Sequence, residues 1–198
     1  MAETTSDVRQ RALTDDPGLL RPLPGQAVAL LDALDAPPRL AAHLRAVHDV
    51  AVQLVAWVET NYSTMEFDSD RVLFGAATHD IGKVLHPAEL SGPGSAHEQD
   101  GYELLIARGI APAAARFART HAAWREPGIG FDDLLVSLSD KIWKGKRVAE
   151  LEQLVVDRLA VVSGREPWEV FMGLDEELER IAAAADGRLA FQNGYPVA

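Results

Sequence analysis

Pro37 and Pro38 open the run that most limits what this chain can become. From there to about Asn61, the apolar residues Leu40, Leu44, Val47, Ala51, Leu54, Val55 and Val58 recur at helical spacing. Proline is tolerated in a first helical turn, where its missing N–H has no intrahelical acceptor in any case. A helix of that length sets an axis against which other elements must pack. The remaining chain keeps the same period. Asp68 is placed to cap a helix that ends near His79-Asp80, with Gly82 as its stop. Ser95 and Glu98 have the spacing of a capping box and open a helix to Arg108, closed by Gly109. Pro112 starts another helix reaching His121, and further helices are expected over about 132–144, 147–162 and 167–185. No segment alternates in the manner of a strand. The expectation is an all-α, single-domain bundle of about seven or eight helices.

Residues 1–25 are polar and carry Pro17, Pro22 and Pro24, so they read as a loosely ordered leader. The helical domain is expected over 26–185 and a tail over 186–198. Apolar residues make up 47% of the 198, enough to build a core for one domain. The absence of cysteine excludes disulfides, thiolate zinc sites and cysteine nucleophiles. The first residues lack the basic-then-apolar pattern of a signal peptide, and no apolar run approaches the roughly 18–20 residues that span a bilayer. A cytoplasmic protein without a membrane partner is expected. The net charge of −11 repels nucleic-acid phosphates, which argues against general nucleic-acid binding. A small phosphorylated partner needs only a local cluster of cations. The oligomeric state stays open, with a homodimer among the options.

All six histidines lie between positions 43 and 121, and His79 is followed directly by Asp80. On a regular helix adjacent side chains point about 100° apart. At a helix end that unwinds into glycine, the two can converge on one ion. Imidazole with carboxylate suits Mn, Fe, Co, Ni or Zn better than Ca or Mg. His48 falls on the apolar stripe, where a histidine is ordinarily a core residue. His43, about 140° away, falls on the flank and is not expected to be a ligand.

With these residues in order, the chain resembles the HD superfamily of metal-dependent phosphohydrolases. The resemblance runs over roughly residues 38–145. Its pattern of a helical histidine, the His-Asp doublet and a later aspartate maps onto His48, His79 with Asp80, and Asp140 in Ser139-Asp140-Lys141. One subset of that superfamily adds two histidines and holds two metals, and His97 and His121 match that addition. The resemblance implies that Asp80 is shared between two ions, with Fe or Mn favoured and Co, Ni, Zn or Mg as alternatives. His48, His79 and Asp140 would complete one site, and His97 and His121 the other. It also implies that Lys83 contacts a substrate phosphate. Ordinary readings remain: His97 as an exposed first-turn residue, His121 as a helix-end histidine that complements the dipole.

A second feature is the run Lys141-Ile142-Trp143-Lys144-Gly145-Lys146-Arg147. In an acidic chain, Lys141 and Lys144 beside Asp140 read as a phosphate-attracting rim. Trp124 or Trp143 is a candidate for stacking on a base, and His86 for facing substrate or bracing its loop. The loop Leu90–Gly94 lacks the Gly-Lys-Ser/Thr of a phosphate-binding P-loop and reads as a flexible lip. Asn193-Gly194-Tyr195-Pro196 lies in a tail without histidine, so it is not the GYP motif of cyclic-dinucleotide phosphodiesterases. The function expected is hydrolysis of a phosphoester or phosphoanhydride in a small, nucleotide-like substrate, with Asp80 and Lys83 as its catalytic residues. The alternatives are an HD-type di-iron oxygenase and a non-catalytic nucleotide-binding module.

Overall fold

The computed structural model describes residues 3–15 and 20–197. Among these the chain is all-helical, with eleven α-helical segments and two short 3-10 turns. That exceeds the expected seven or eight, chiefly because the terminal segments are helical and the helix expected from Pro112 is split.

The central helix is α3 (Pro38–Asn61), with Pro38 in its first turn as the sequence requires. Before it come α1 (Thr5–Thr14) and α2 (Gly25–Ala33). The Thr4 hydroxyl accepts from the Asp7 N–H at 3.2 Å, and the Asp7 carboxylate accepts from the Thr4 N–H at 3.1 Å, so α1 starts with a capping box. Most of the stretch expected to be a loosely ordered leader is therefore structured, because Arg9, Ala12 and Leu13 are buried against the helices that follow. Pro17 lies outside the described residues.

After α3 comes α4 (Ser69–Ala76), capped by the Asp68 carboxylate accepting from the Arg71 N–H at 2.9 Å. The 3-10 turns Ile81–Val84 and Pro87–Leu90 follow, then α5 (Ala96–Ala107). The single helix expected from Pro112 is instead α6 (Pro112–Ala115) and α7 (Phe117–Thr120). The bundle continues with α8 (Phe131–Ile142), α9 (Ala149–Ser163) and α10 (Pro167–Ala182). The expected tail holds α11 (Ala185–Asn193), which packs on α3. Arg188 and Tyr195 are buried, and the Arg39 N–H donates to Pro196 O at 3.0 Å.

Two apolar clusters make the core. One gathers Val50, Leu54 and Val58 of α3 with α4, α8, α9 and α10. The other gathers Leu40 and Leu44 of α3 with α1, α2, Ile81 and Leu105. Because α3 threads both, its residues from Leu40 to Ala51 are buried on every side. The His79-Asp80 turn lies at the seam, between Ala76 of the first cluster and Ile81 of the second. No helix among the described residues is long and apolar enough to cross a membrane.

Candidate metal centre

Helical backbone ends at Ala76, and the turn Ala77–Asp80 leads into the Ile81–Val84 3-10 turn. That break lets the His79 and Asp80 side chains converge. Asp80 is 3% exposed and sits amid imidazoles. Its Oδ2 lies 3.0 Å from His43 Nε2 and 3.7 Å from His79 Nε2. Its Oδ1 lies 3.0 Å from His97 Nε2 and 3.5 Å from His121 Nε2. His79 Nε2 is also 3.3 Å from Asp140 Oδ1. Three overlapping sets of buried groups result, each able to hold a metal ion: His43, His79 and Asp80; His79, His121 and Asp140; Asp80, His97 and His121.

Each of the four histidines is aimed by its far nitrogen. His79 Nδ1 donates to Ala76 O at 2.9 Å, and His121 Nδ1 donates to Ala118 O at 3.0 Å. His43 Nδ1 donates to Gln192 Oε1 at 3.0 Å, and His97 Nδ1 donates to the Glu89 carboxylate. An acceptor at Nδ1 requires the proton there, which leaves the Nε2 lone pair turned inward. The Nε2 atoms of His43, His79 and His97 are buried and make no well-formed hydrogen bond. Inward-facing imidazole nitrogens fixed from behind, with two carboxylates among them, fit a divalent transition metal.

The electrostatics agree. Burial alone would raise the Asp80 carboxyl, but His79, His43 and His97 outweigh it and hold it well below the usual carboxylate range. Burial likewise opposes ionisation of Asp140, yet His79 and Lys141 keep it ionised. Burial lowers His43, and burial with the neighbouring His79 lowers His121 to about 4. For His79 and His97, Asp80 overcomes burial and raises the imidazole. The two carboxylates thus draw positive charge into the cluster, a demand that a divalent cation meets.

Five of the six residues expected at this centre are brought together: His79, Asp80, His97, His121 and Asp140. His48, expected among them, is not. His43, five residues earlier on α3, lies beside Asp80 instead, and His48 stands in none of the three sets. His48 is 4% exposed, its Nδ1 has no partner, and burial lowers it to about 4. This stretch of α3 is buried all round, so a flank position also faces protein.

A cavity of about 270 Å³ borders the cluster, lined by His43, Lys83, Glu89, Trp143, Lys144 and Gln192 among others. Lys83 Nζ lies 2.5 Å from Asp80 Oδ2. Of the other residues expected to meet substrate, Lys144 and Trp143 border this cavity, and His86, Lys141 and Trp124 do not. Lys141 is bound to Asp140 and lies over Trp124, 5.5 Å from its ring centroid. Trp124 borders a separate groove with Pro127 and Leu154. His86 Nε2 lies 2.6 Å from Asp100 Oδ2 and braces its loop. Arg147 is taken up by Glu152 and Asp175. Trp143 is 3% exposed and meets His43 edge-on at 4.9 Å, which leaves it no open face for a base.

Glu89 was not singled out from the sequence, yet it does two jobs. It binds His97 Nδ1 and accepts from the Ala96 N–H at 3.2 Å, capping α5. The expected Ser95–Glu98 capping box is absent: Ser95 makes no side-chain cap bond. Gly82 also has a different purpose from a helix stop. A Cβ there would lie 2.0 Å from His97 O and 2.7 Å from Gly101 N, so only glycine lets α5 come this close. Gln192 gives no local signal in sequence, because α11 brings it to the centre from the far end of the chain, and Arg39 of α3 is tied to that end by its bonds to Asn193 O and Tyr195 O.

The HD domain family model matches residues 40–186, well over half of the chain. The chain belongs to the HD domain family. Metal-dependent hydrolysis is the general business of that family, and the buried histidine–aspartate cluster offers groups that could hold a metal ion. No curated protein and no solved structure matches the chain.

Proposed function

We propose that this HD protein is a phosphohydrolase that holds two divalent transition-metal ions and cleaves a phosphoester or phosphoanhydride bond of a small phosphorylated metabolite. The observation that carries the reading is the set of four inward-facing histidines, each anchored at Nδ1, arranged around the two oxygens of Asp80. One ion would be held by His43, His79, Asp80 and Asp140, the other by Asp80, His97 and His121, with Fe or Mn the best fit to this donor set. When bound, such ions supply Lewis acidity and a water made nucleophilic at neutral pH. The chain's own residues do the rest. Lys83, at the cavity wall and on Asp80, offers its ammonium to a phosphoryl oxygen. Lys141 holds Asp140 in place. Trp143 closes the wall behind His43 and keeps water from its ring.

The test is phosphate release from a panel of mono- and dinucleotides and small phosphate esters, with Mn²⁺, Fe²⁺, Co²⁺ or Mg²⁺ supplied, beside Asp80→Ala purified identically. Turnover that disappears in the Asp80 variant supports the reading. Protein that binds two irons, takes up oxygen and releases no phosphate would replace it with a di-iron oxygenase.

A further inference from the structure

The cavity has a second end. Beyond His43 its wall is made by Arg39 at the start of α3, Lys144 just after α8, and Gln192 of α11. Residues 39 and 192 lie outside the stretch 40–186 matched by the family, and Lys144 lies within it. Its hydrogen-bonding account is left open among the described residues. Arg39 Nε donates to Tyr195 O at 2.9 Å and Nη2 to Asn193 O at 3.3 Å, both backbone carbonyls, and among the described residues no carboxylate answers its charge. Nη1 has no acceptor among the described residues. Lys144 Nζ rests over the Trp143 ring at 5.8 Å and likewise meets no carboxylate. Gln192 spends its Oε1 on His43 Nδ1, and its amide N–H groups have no acceptor. Glu89 is the carboxylate of this cavity, and it is committed to His97 and the start of α5.

Three donor groups with protons to spare, two of them cationic, therefore line a cavity that also takes in His43 of the cluster, Lys83, which contacts Asp80, and Glu89, which contacts His97. Charge-assisted donors of this kind recognise an anionic oxygen group. We infer that Arg39, Lys144 and Gln192 form a second anion subsite, so that the substrate is a small molecule with a phosphoryl group at the metal end and another anionic group, carboxylate or phosphate, at the α11 end. This rests on the phosphohydrolase reading for the first group only. A cavity of about 270 Å³ falls below the roughly 300–1,000 Å³ of sites for drug-sized ligands, so a compact bifunctional anion fits and a dinucleotide does not.

The probes are 3-phosphoglycerate and glycerol 3-phosphate, which share a phosphoryl group and differ in carrying or lacking a carboxylate at the other end. Calorimetric titration of the Mn²⁺-loaded full-length protein should give a dissociation constant for 3-phosphoglycerate at least about ten-fold lower, the worth of one charge-assisted hydrogen bond. In Lys144→Gln and in Arg39→Gln the ratio should fall toward one. Lys144 is exposed and makes no polar bond among the described residues, so its variant keeps the fold even if Arg39→Gln disturbs α11. Equal affinities in the unaltered protein, no binding of 3-phosphoglycerate, or a ratio that survives Lys144→Gln would overturn the subsite. The two readings fail separately: discrimination without phosphate release from any ester removes the hydrolase and keeps the subsite, and phosphate release without discrimination does the reverse.

Discussion

His43 and His48 share a helix and both are buried, but they answer to different surroundings. His43 has an acceptor on one nitrogen and Asp80 3.0 Å from the other, whereas His48 has a partnerless Nδ1. His43→Leu should therefore lower metal affinity by one to two orders of magnitude, and His48→Leu should leave the metal content measured by mass spectrometry as it is. Equal loss in both variants would return His48 to the centre. Stability gives a second reading of His48. Its folded value of about 4 lies below the ordinary 6.5, so the unfolded state binds the proton first. Stability is intact above about 6.5 and is lost as pH falls through the window down to 4. At about 1.4 kcal/mol per pH unit, the unaltered protein should lose roughly 3 kcal/mol more across that window than His48→Leu, measured by urea unfolding of metal-stripped protein. From sequence, the doublet and the three later residues were readable, because a His-Asp pair at a glycine-broken helix end has few structural uses. The choice between 43 and 48 was not readable, since periodicity ranks faces only when one face meets water.

Gly82 decides how closely the Ile81–Val84 turn and α5 approach each other, and with that whether His97 reaches Asp80. The atoms in the way of a side chain are backbone, so no rotamer change makes room. Gly82→Ala should be destabilising at or beyond the upper end of the about 1–3 kcal/mol typical of overpacked sites, and should weaken metal binding as His97 retreats. Gly25→Ala, whose added Cβ meets nothing within 4 Å, is the matched control and should shift the melting temperature little. A Gly82 variant that melts with the control would sink the close-approach account. Glu89 completes the same junction. Glu89→Ala removes the acceptor that fixes the His97 ring, and loss of such a partner typically costs about 10–100-fold in metal affinity. Retained affinity, read by competition with a chelator, would count against that role. The main helices were readable from caps and periodicity, as Asp68 and Pro38 show. The cap on α5 was not, because Glu89 lies seven residues from the N–H it satisfies, and the capping-box spacing at Ser95 offered a plausible substitute.

The two ends of the chain close over α3, and Arg45 is where they meet. Its guanidinium is 3% exposed and donates to Ala12 O at 3.2 Å, Asp15 O at 2.6 Å, Leu20 O at 2.9 Å and, through Nε, to Arg21 O at 3.2 Å. It also lies over the Phe191 ring of α11, 5.7 Å from the centroid. A polar first segment rich in proline looked loose because the acceptors that fix it are backbone carbonyls, which carry no sequence signature. Their donor lies 24 to 33 residues away in the chain. Arg45→Met keeps the length and apolar stem of the side chain but leaves those carbonyls without their charged donor. Each hydrogen bond to a charged group contributes about 1.5–3 kcal/mol, so the loss should be at least about 3 kcal/mol. It should also be uneven. Hydrogen exchange should quicken over α1 and α11, while His79, Asp80, His97, His121 and Asp140, which stand on other elements, keep their arrangement. Metal affinity should then fall only as far as a loosened Gln192 lets His43 turn. Uniform protection along the chain in Arg45→Met would mean that the termini are held by their apolar contacts alone.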